Sequence, residues 1–385
     1  MPIWRLVLIK KISMNSIKKI LLIAATLIGG AANAQDIVIG QVVPLTGTQA
    51  ATGIAARDGA QLYFDKINRH GGIQGRKIVL DVRDDEYQTA KTVNLVREII
   101  REHSPVLMIS AIGAAGVEAL IKEKVLENGK VSLLGPTSGA RMMYGVPRIY
   151  PVRASYEREA NKFLAQFKST GVKRLAVVYQ DDAFGKEGLA SIQEFLKSSY
   201  KDVQLVASAS YSRTDTDLAK QATEVSKSDP QAVLLYAVTK PAASFIQHFK
   251  PLAPKATIAM MSSVELDSLI KEGGNAVTDS LIGLFLPHPN NKKELLVREM
   301  HEDAKELGRS VNISPRFQLG YTTARVAVSV MQSIKGPITA VTLDKALDDA
   351  KSFKLSDTLE VRNEGKNQGI NFVDFGIIGR AGLIY

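Results

Sequence analysis

Along residues 36–86 the spacing of apolar and polar positions changes period twice. An apolar run at 37–43 stops at Pro44 and at a turn carrying Gly47 and Gly53, the pattern of a buried strand feeding a loop ahead of a helix. A helix-like run follows, and Gly71, Gly72 and Gly75 then permit a reversal with positive φ. Alternating Ile78, Leu80 and Val82 read as a second strand that stops at Asp84 and Asp85. The stretch therefore predicts a βαβ unit with both strands ending in polar loops on one edge.

The alternation continues. Val93, Val96, Ile99 and Ile100 give Thr89–His103 one apolar helical face; 106–109 reads as a buried strand; Val117, Leu120, Ile121 and Val125 form another helical stripe; 131–134 is another strand. A second series opens after Pro147 and Pro151, with Tyr156, Ala160, Phe163, Leu164 and Phe167 on one helical face. It runs through a strand at 175–179, a helix at 185–198, a strand at 203–207, a helix from Asp217, the strand Ala232–Tyr236, a helix around Phe245 and Phe249, and the strand Thr257–Met260. Strands alternating with helices in this way predict an α/β fold of two doubly wound parallel-sheet lobes. No short-period repeat or low-complexity linker interrupts them.

The first 34 residues read as processing sequence. Five basic residues and no acid precede the apolar run 20–28, and Ala32 and Ala34 make an A-x-A cleavage site after Ala34. The apolar run is well short of the ~20 residues that span a bilayer. Met14 opens a more usual leader than Met1, and no Cys stands at the junction for a lipid anchor. The expected product is free in the periplasm. Cleavage leaves 44 basic residues of the original 49 against 39 acids, so the net charge falls from +10 to +5. A charge this small, without basic blocks, gives no ground for a nucleic-acid partner. The absence of cysteine excludes disulfides, thiolate metal sites and a Cys nucleophile. The 351 residues left of 385 exceed what one core usually supports.

Specific motifs then accumulate. P-L-T-G at 44–47, I-N-x-x-G-G-I-x-G-R-K at 67–77 and Asp84-Asp85 resemble the start of the leucine/isoleucine/valine-binding family of periplasmic solute-binding proteins. RLAVVYQDDAFGKEG at 174–188, DPQAVLLYA at 229–237 and NFVDFGIIGRAG at 371–382 extend the resemblance over nearly the whole mature chain. It implies the type I periplasmic binding fold, with lobe one at 35–150 and 288–372, lobe two at 151–287 and 373–385, and a three-crossing hinge. It also implies a monomer that delivers a small solute to an ATP-binding-cassette permease of the branched-chain amino acid type.

Open parallel sheets bind ligands beyond the carboxyl ends of their strands, where helix N-termini offer free N–H groups suited to a carboxylate. The lobe-one loops at 113–117 and 135–141 are small-residue turns, and by themselves are equally tight αβ connections. The resemblance makes them the carboxylate site and marks Ala115, Gly116, Thr137, Ser138 and Gly139, with Arg141 just beyond. In lobe two it marks Phe184 as an aromatic packed on the ligand, and Thr239. Four positions depart from the family pattern: Ala115 for serine, Gly139 for threonine, Thr52 for tyrosine, and Ala242 for the glutamate that holds an α-ammonium. Unpaired burial of an ammonium costs several kcal/mol, so the expected ligand keeps a carboxylate and does not require an amine. A differently placed acid, such as Asp215, is the alternative partner for an amine.

Enzyme readings find little. The five histidines show neither HxH nor HExxH spacing, so no zinc site is signalled. GxGxxG, GxxxxGK[ST] and GxSxG are absent, which leaves no nucleotide phosphate loop, cofactor or serine nucleophile to expect. Asp84-Asp85-Glu86 and Asp181-Asp182 sit just past strand ends, where carboxylates cap turns. A solute-binding protein without catalysis is expected, with a sensor subunit of a receptor and a periplasmic enzyme as the other classes.

Overall fold

The computed structural model describes residues 35–364, 368–380 and 382–384; the expected leader at 1–34 lies outside them. Strands β1 (Ile37–Val43), β2 (Ile78–Asp84), β3 (Leu107–Ile109), β4 (Leu133–Leu134) and β5 (Ile149–Tyr150) form an all-parallel sheet in the order β2-β1-β3-β4-β5. β1 lies inside the sheet, between β2 and β3, and is apolar on both faces: Ile37 and Ile39 enter one core and Val42 another. Between these strands run α1 (Ala50–Arg69), α2 (Thr89–His103), α3 (Ala114–Lys122) and the short α4 (Val125–Gly129). We use lobe one for this sheet and the helices on it.

The second sheet contains β6 (Arg174–Gln180), β7 (Gln204–Tyr211), β8 (Ala232–Tyr236), β9 (Thr257–Met260) and β10 (Leu281–Leu284), with β14 (Asp374–Gly379) and β15 (Gly382–Ile384) at one edge. Its helices are α5 (Tyr156–Ser169), α6 (Ala183–Ser198), α7 (Ala219–Ser226), α8 (Thr239–Phe249) and α9 (Leu266–Gly273). The order is β15-β14-β10-β9-β8-β6-β7, parallel from β10 to β7, whereas β14 and β15 are antiparallel to their neighbours. That antiparallel edge is added by the last passage of the chain, so this sheet is not parallel throughout.

Between the last two strand groups the chain returns to lobe one through α10 (Leu295–Glu306), α11 (Pro315–Ser333) and α12 (Ala340–Asp349). α11 packs closely on α1. A Cβ on Gly59 would stand 2.0 Å from the Phe317 carbonyl oxygen, and one on Gly320 would stand 2.0 Å from that of Ala56. The two glycines let the helix backbones touch. Gly320→Ala gains helix propensity, at most about 1 kcal/mol, but must push the helices apart, so a net loss of about 1–3 kcal/mol is expected from overpacking. Urea unfolding would show a lower midpoint at unchanged m-value.

A small antiparallel sheet, β11 (Ser352–Lys354), β12 (Glu360–Arg362) and β13 (Gly369–Ile370), covers the end of the lobe-one core with Leu355, Leu359 and Val361. Its strands of two or three residues are too short to show a period in sequence.

Three passages join the lobes, and they are packed against one another. Ile370 N–H donates to the Val152 carbonyl at 2.7 Å, and a Cβ on Gly369 would lie 1.9 Å from the Arg153 carbonyl oxygen. The Arg153 guanidinium carbon lies 4.4 Å from the ring centroid of Phe285, which follows β10.

Candidate binding cleft

The carboxyl ends of both sheets face one enclosed cavity of about 30 Å³, room for two or so waters. Lobe one supplies Gln49 and Thr52 after β1, Tyr87 after β2, Ile112 to Ala114 after β3, and Thr137 and Ser138 after β4. Lobe two supplies Phe184, Val238 and Ser263, each just past the end of a parallel strand, and Tyr156 from the start of α5. Arg316 enters from the first turn of α11. A solute larger than the cavity must part these walls to enter.

Local sequence explains how the loops are held. The Asp84 carboxylate accepts the N–H of Leu45 at 2.8 Å, the N–H of Glu86 at 2.9 Å and the Thr46 hydroxyl at 2.8 Å. Partial burial works against these bonds, and they nevertheless hold the carboxyl below its usual range. Asp85 accepts the Tyr87 N–H at 2.9 Å and the Thr92 hydroxyl at 2.6 Å, while burial pushes its carboxyl up. These bonds support two consecutive left-handed residues, Glu86 (φ 52°) and Tyr87 (φ 62°), a conformation costing about 1–2 kcal/mol per residue. The turn aims the Tyr87 ring across the cleft. In lobe two Asp182 caps α6 through the N–H groups of Phe184 and Gly185, so that helix N-terminus is already occupied. The acidic pairs are therefore loop braces.

Tyr87 is gripped from lobe two. The Arg213 guanidinium stacks 3.5 Å from its ring centroid, donates to its carbonyl at 2.9 and 3.1 Å, and pairs with Asp182 at 2.9 Å. Gln180 Nε2 lies 3.3 Å from the Tyr87 hydroxyl. Arg213 thus links the β2 loop of one lobe to the β6 and β7 loops of the other. Arg213→Ala should weaken solute binding roughly 5- to 30-fold, about 1–2 kcal/mol, because the cation–π contact stabilises only the closed arrangement. Calorimetric titration would read this as a higher Kd.

Two arginines are buried here, Arg316 in the cavity wall and Arg153 behind it. Arg153, fully buried, pairs with Glu159, donates to the Thr137 carbonyl at 3.1 Å and the Ser262 hydroxyl at 2.8 Å, and lies 4.4 Å from the Tyr156 ring centroid. Burial pushes its guanidinium down to about 10, with Arg316 adding like-charge repulsion. Arg316, 2 % exposed, donates to the carbonyls of Thr137 (3.1 Å) and Ser262. Its Nε–H has no partner, and burial lowers its pKa too. Neither arginine was singled out by sequence. The available signal was a charge, Arg316, opening a helix that buries fifteen of its nineteen residues.

Of the residues marked from sequence, Thr137, Ser138 and Phe184 line the cavity. Ala115 and Gly116 follow the lining residues Gly113 and Ala114 along α3 and do not line the cavity themselves; Gly116 packs against Thr92. Gly139 is pressed against the Ala154 carbonyl and the Tyr156 N–H, where a Cβ would be 2.8 Å from each. The Thr239 hydroxyl accepts the N–H of Glu265 at 2.9 Å; Val238 lines the cavity in its place. Arg141 turns outward to Glu157 at 2.8 Å and does not reach the site. Only the first lobe-one loop opens a helix; the second leads to one turn of 3-10 helix, Arg141–Met143, and the Thr137 N–H is already donated to Ala111. Ala242 packs in the lobe-two core and is not among the residues that line the cavity. Asp215 accepts the Ser212 N–H at an exposed turn. Among the described residues no cluster suited to a metal occurs.

Comparison with known proteins adds a family. A model described as "Periplasmic binding protein" matches residues 36–371. The Leu/Ile/Val-binding protein BraC3 of Rhizobium johnstonii is 34% identical over 161 residues, 40% of this chain and 42% of that protein. The Leu/Ile/Val-binding protein homologue 7 of Brucella suis is 23% identical over 246 residues, 60% of this chain and 61% of that one. The matched stretch thus spans only about half the length of these curated relatives. A substrate-binding periplasmic protein from Ralstonia solanacearum superposes with a TM-score of 0.86 at 32% identity, covering 90% of this chain and 99% of that one.

Proposed function

Because the chain belongs to the periplasmic binding protein family, of the leucine/isoleucine/valine-binding type, we propose that it captures a small carboxylate-bearing solute between its lobes and presents it to an importer of the ATP-binding-cassette type. The observation that carries this reading is the enclosed cavity at the carboxyl ends of both sheets, with walls from both lobes and a hinge of three passages behind it. Contacts made to a solute from both sides favour the closed arrangement by their differential energy. An importer that recognises the closed form receives loaded protein only. The lobes are 35–150 with 288–372, and 151–287 with 373–385.

No step of chemistry is assigned. The lining offers hydroxyls, one guanidinium and aromatic rings; of its two tyrosines, Tyr87 accepts from Gln180 and Tyr156 lies against the buried arginines. A thermal-shift screen of amino acids, short-chain acids and aromatic acids tests the reading. A solute at a hundredfold excess over its Kd adds about 2.7 kcal/mol of stability. A screen in which no carboxylate raises the melting temperature, or in which a hit is turned over, would contradict the proposal.

The same reading places the mature protein in the periplasm as a monomer starting at Gln35. Intact-mass measurement of a periplasmic extract is expected to give that species, and a form retaining 20–28 would refute the cleavage.

A further inference from the structure

In the closed cleft Arg316 is a cation that no carboxylate pairs with; the side chain that favours its charge most is Tyr156, a phenol. It is buried, it lines the cavity, its two terminal nitrogens are spent on backbone carbonyls, and its Nε–H has no partner. Among the described residues no carboxylate lies within ion-pair distance of it, and the nearby acids are committed elsewhere. Glu159 binds Arg153 and both the N–H and hydroxyl of Ser262. Asp182 pairs with Arg213, and Asp85 is held by Thr92 and the Tyr87 N–H. Glu265 caps α9 through the Ser268 N–H at 2.9 Å. It acts on Arg316 only at a distance, less strongly than Tyr156 does and less strongly than burial opposes the charge.

A buried charge without a partner is costly, and the cost is relieved when an opposite charge arrives with a hydrogen-bond acceptor. We propose that Arg316 is the charge partner of the solute's carboxylate and makes the cleft selective for amine-free monocarboxylates, such as 2-oxo acids, over the matching amino acids. This rests on the cavity being the solute site. The Thr52 hydroxyl, 2 % exposed, lining the cavity and unpartnered, supplies a second donor for the carboxylate. An α-ammonium has no such welcome. The lining contains no Asp or Glu, and the one charge it does contain has the same sign as the ammonium.

Isothermal titration of the mature protein with two matched pairs decides the matter: leucine against 4-methyl-2-oxopentanoate, and phenylalanine against phenylpyruvate. In the pair whose side chain fits, the oxo acid is expected to bind at least 30-fold tighter. Arg316→Gln keeps a donor but removes the charge, and should lose at least 30-fold in affinity for the oxo acid. Its ligand-free melting temperature should not fall, because the variant no longer buries an unpaired cation. An amino acid that binds as tightly as its oxo acid, or oxo-acid affinity unchanged in Arg316→Gln, would overturn the inference while leaving the cleft reading intact, since a solute would still be bound. The wild-type comparison stands even if the variant fails to fold. Failure of all four compounds, together with every acid and amino acid of the thermal screen, would overturn both.

Discussion

Arg153→Met is expected to remove about 3–5 kcal/mol of folding stability, the usual consequence of breaking a buried ion pair from one side. Arg153 and Glu159 are both fully enclosed, and the guanidinium also ties the Thr137 carbonyl of lobe one to the Ser262 hydroxyl of lobe two. Methionine fills much of the volume, so the loss reports the stranded Glu159 carboxylate and the missing donors rather than a cavity. The variant should be least impaired in acid: a buried carboxylate that keeps the Ser262 donors but has no cation binds its proton more tightly folded than unfolded, so stability falls as pH rises through that interval. Arg153→Met with Glu159→Leu should recover a good part of the loss, because both charges leave together. Urea unfolding at pH 5 and pH 8 would measure all three effects. Equal losses at both pH values would show that the pair contributes only through packing.

Phe184→Ala is the second large effect, with two readouts of different origin. The ring is 5 % exposed and packs against Tyr156 at 4.9 Å and Tyr236 at 5.6 Å between centroids, so truncation should cost about 3–5 kcal/mol of stability. The same ring lines the cavity opposite Thr137 and Ser138, so solute affinity should drop by a further amount on the order of 1–3 kcal/mol. Calorimetric titration at a temperature where the variant remains folded separates the two. Unchanged affinity in a destabilised protein would make Phe184 a core residue only.

Much of this architecture was legible because period and burial agree. Thr89–His103, Ala232–Tyr236 and Thr257–Met260 have in the structure the limits their apolar spacing suggests. These elements face water on one side or are buried on both, so the pattern is unmixed. The strand read at 131–134 is shorter in the structure, Leu133–Leu134, whereas the two-residue β5 and the sheet β11-β12-β13 carry no readable period and are defined only by what they pair with.

The site was legible at the level of loops and not of side chains. Thr137, Ser138 and Phe184 stand where strand ends place them, but the rotation of a helix about its axis is set by packing. Ala242, one turn into α8, therefore turns into the lobe-two core, and Val238 ahead of the helix faces the cleft. Arg316 was missed for a related reason. It comes from a helix far along the chain, brought to the cleft by the close approach of α11 to α1 at Gly59 and Gly320. A lone arginine in SPRFQLGY reads as a surface charge until the helix around it is known to be buried.

Closure on a solute is the central claim, and small-angle scattering tests it most directly. The mature protein would be measured alone and at saturation with whichever of leucine, 4-methyl-2-oxopentanoate, phenylalanine and phenylpyruvate binds by calorimetry. A solute held between the lobes predicts a smaller radius of gyration in the complex, and an Arg213→Ala variant that needs more solute to reach it. A saturated complex with the dimensions of the free protein would contradict the account.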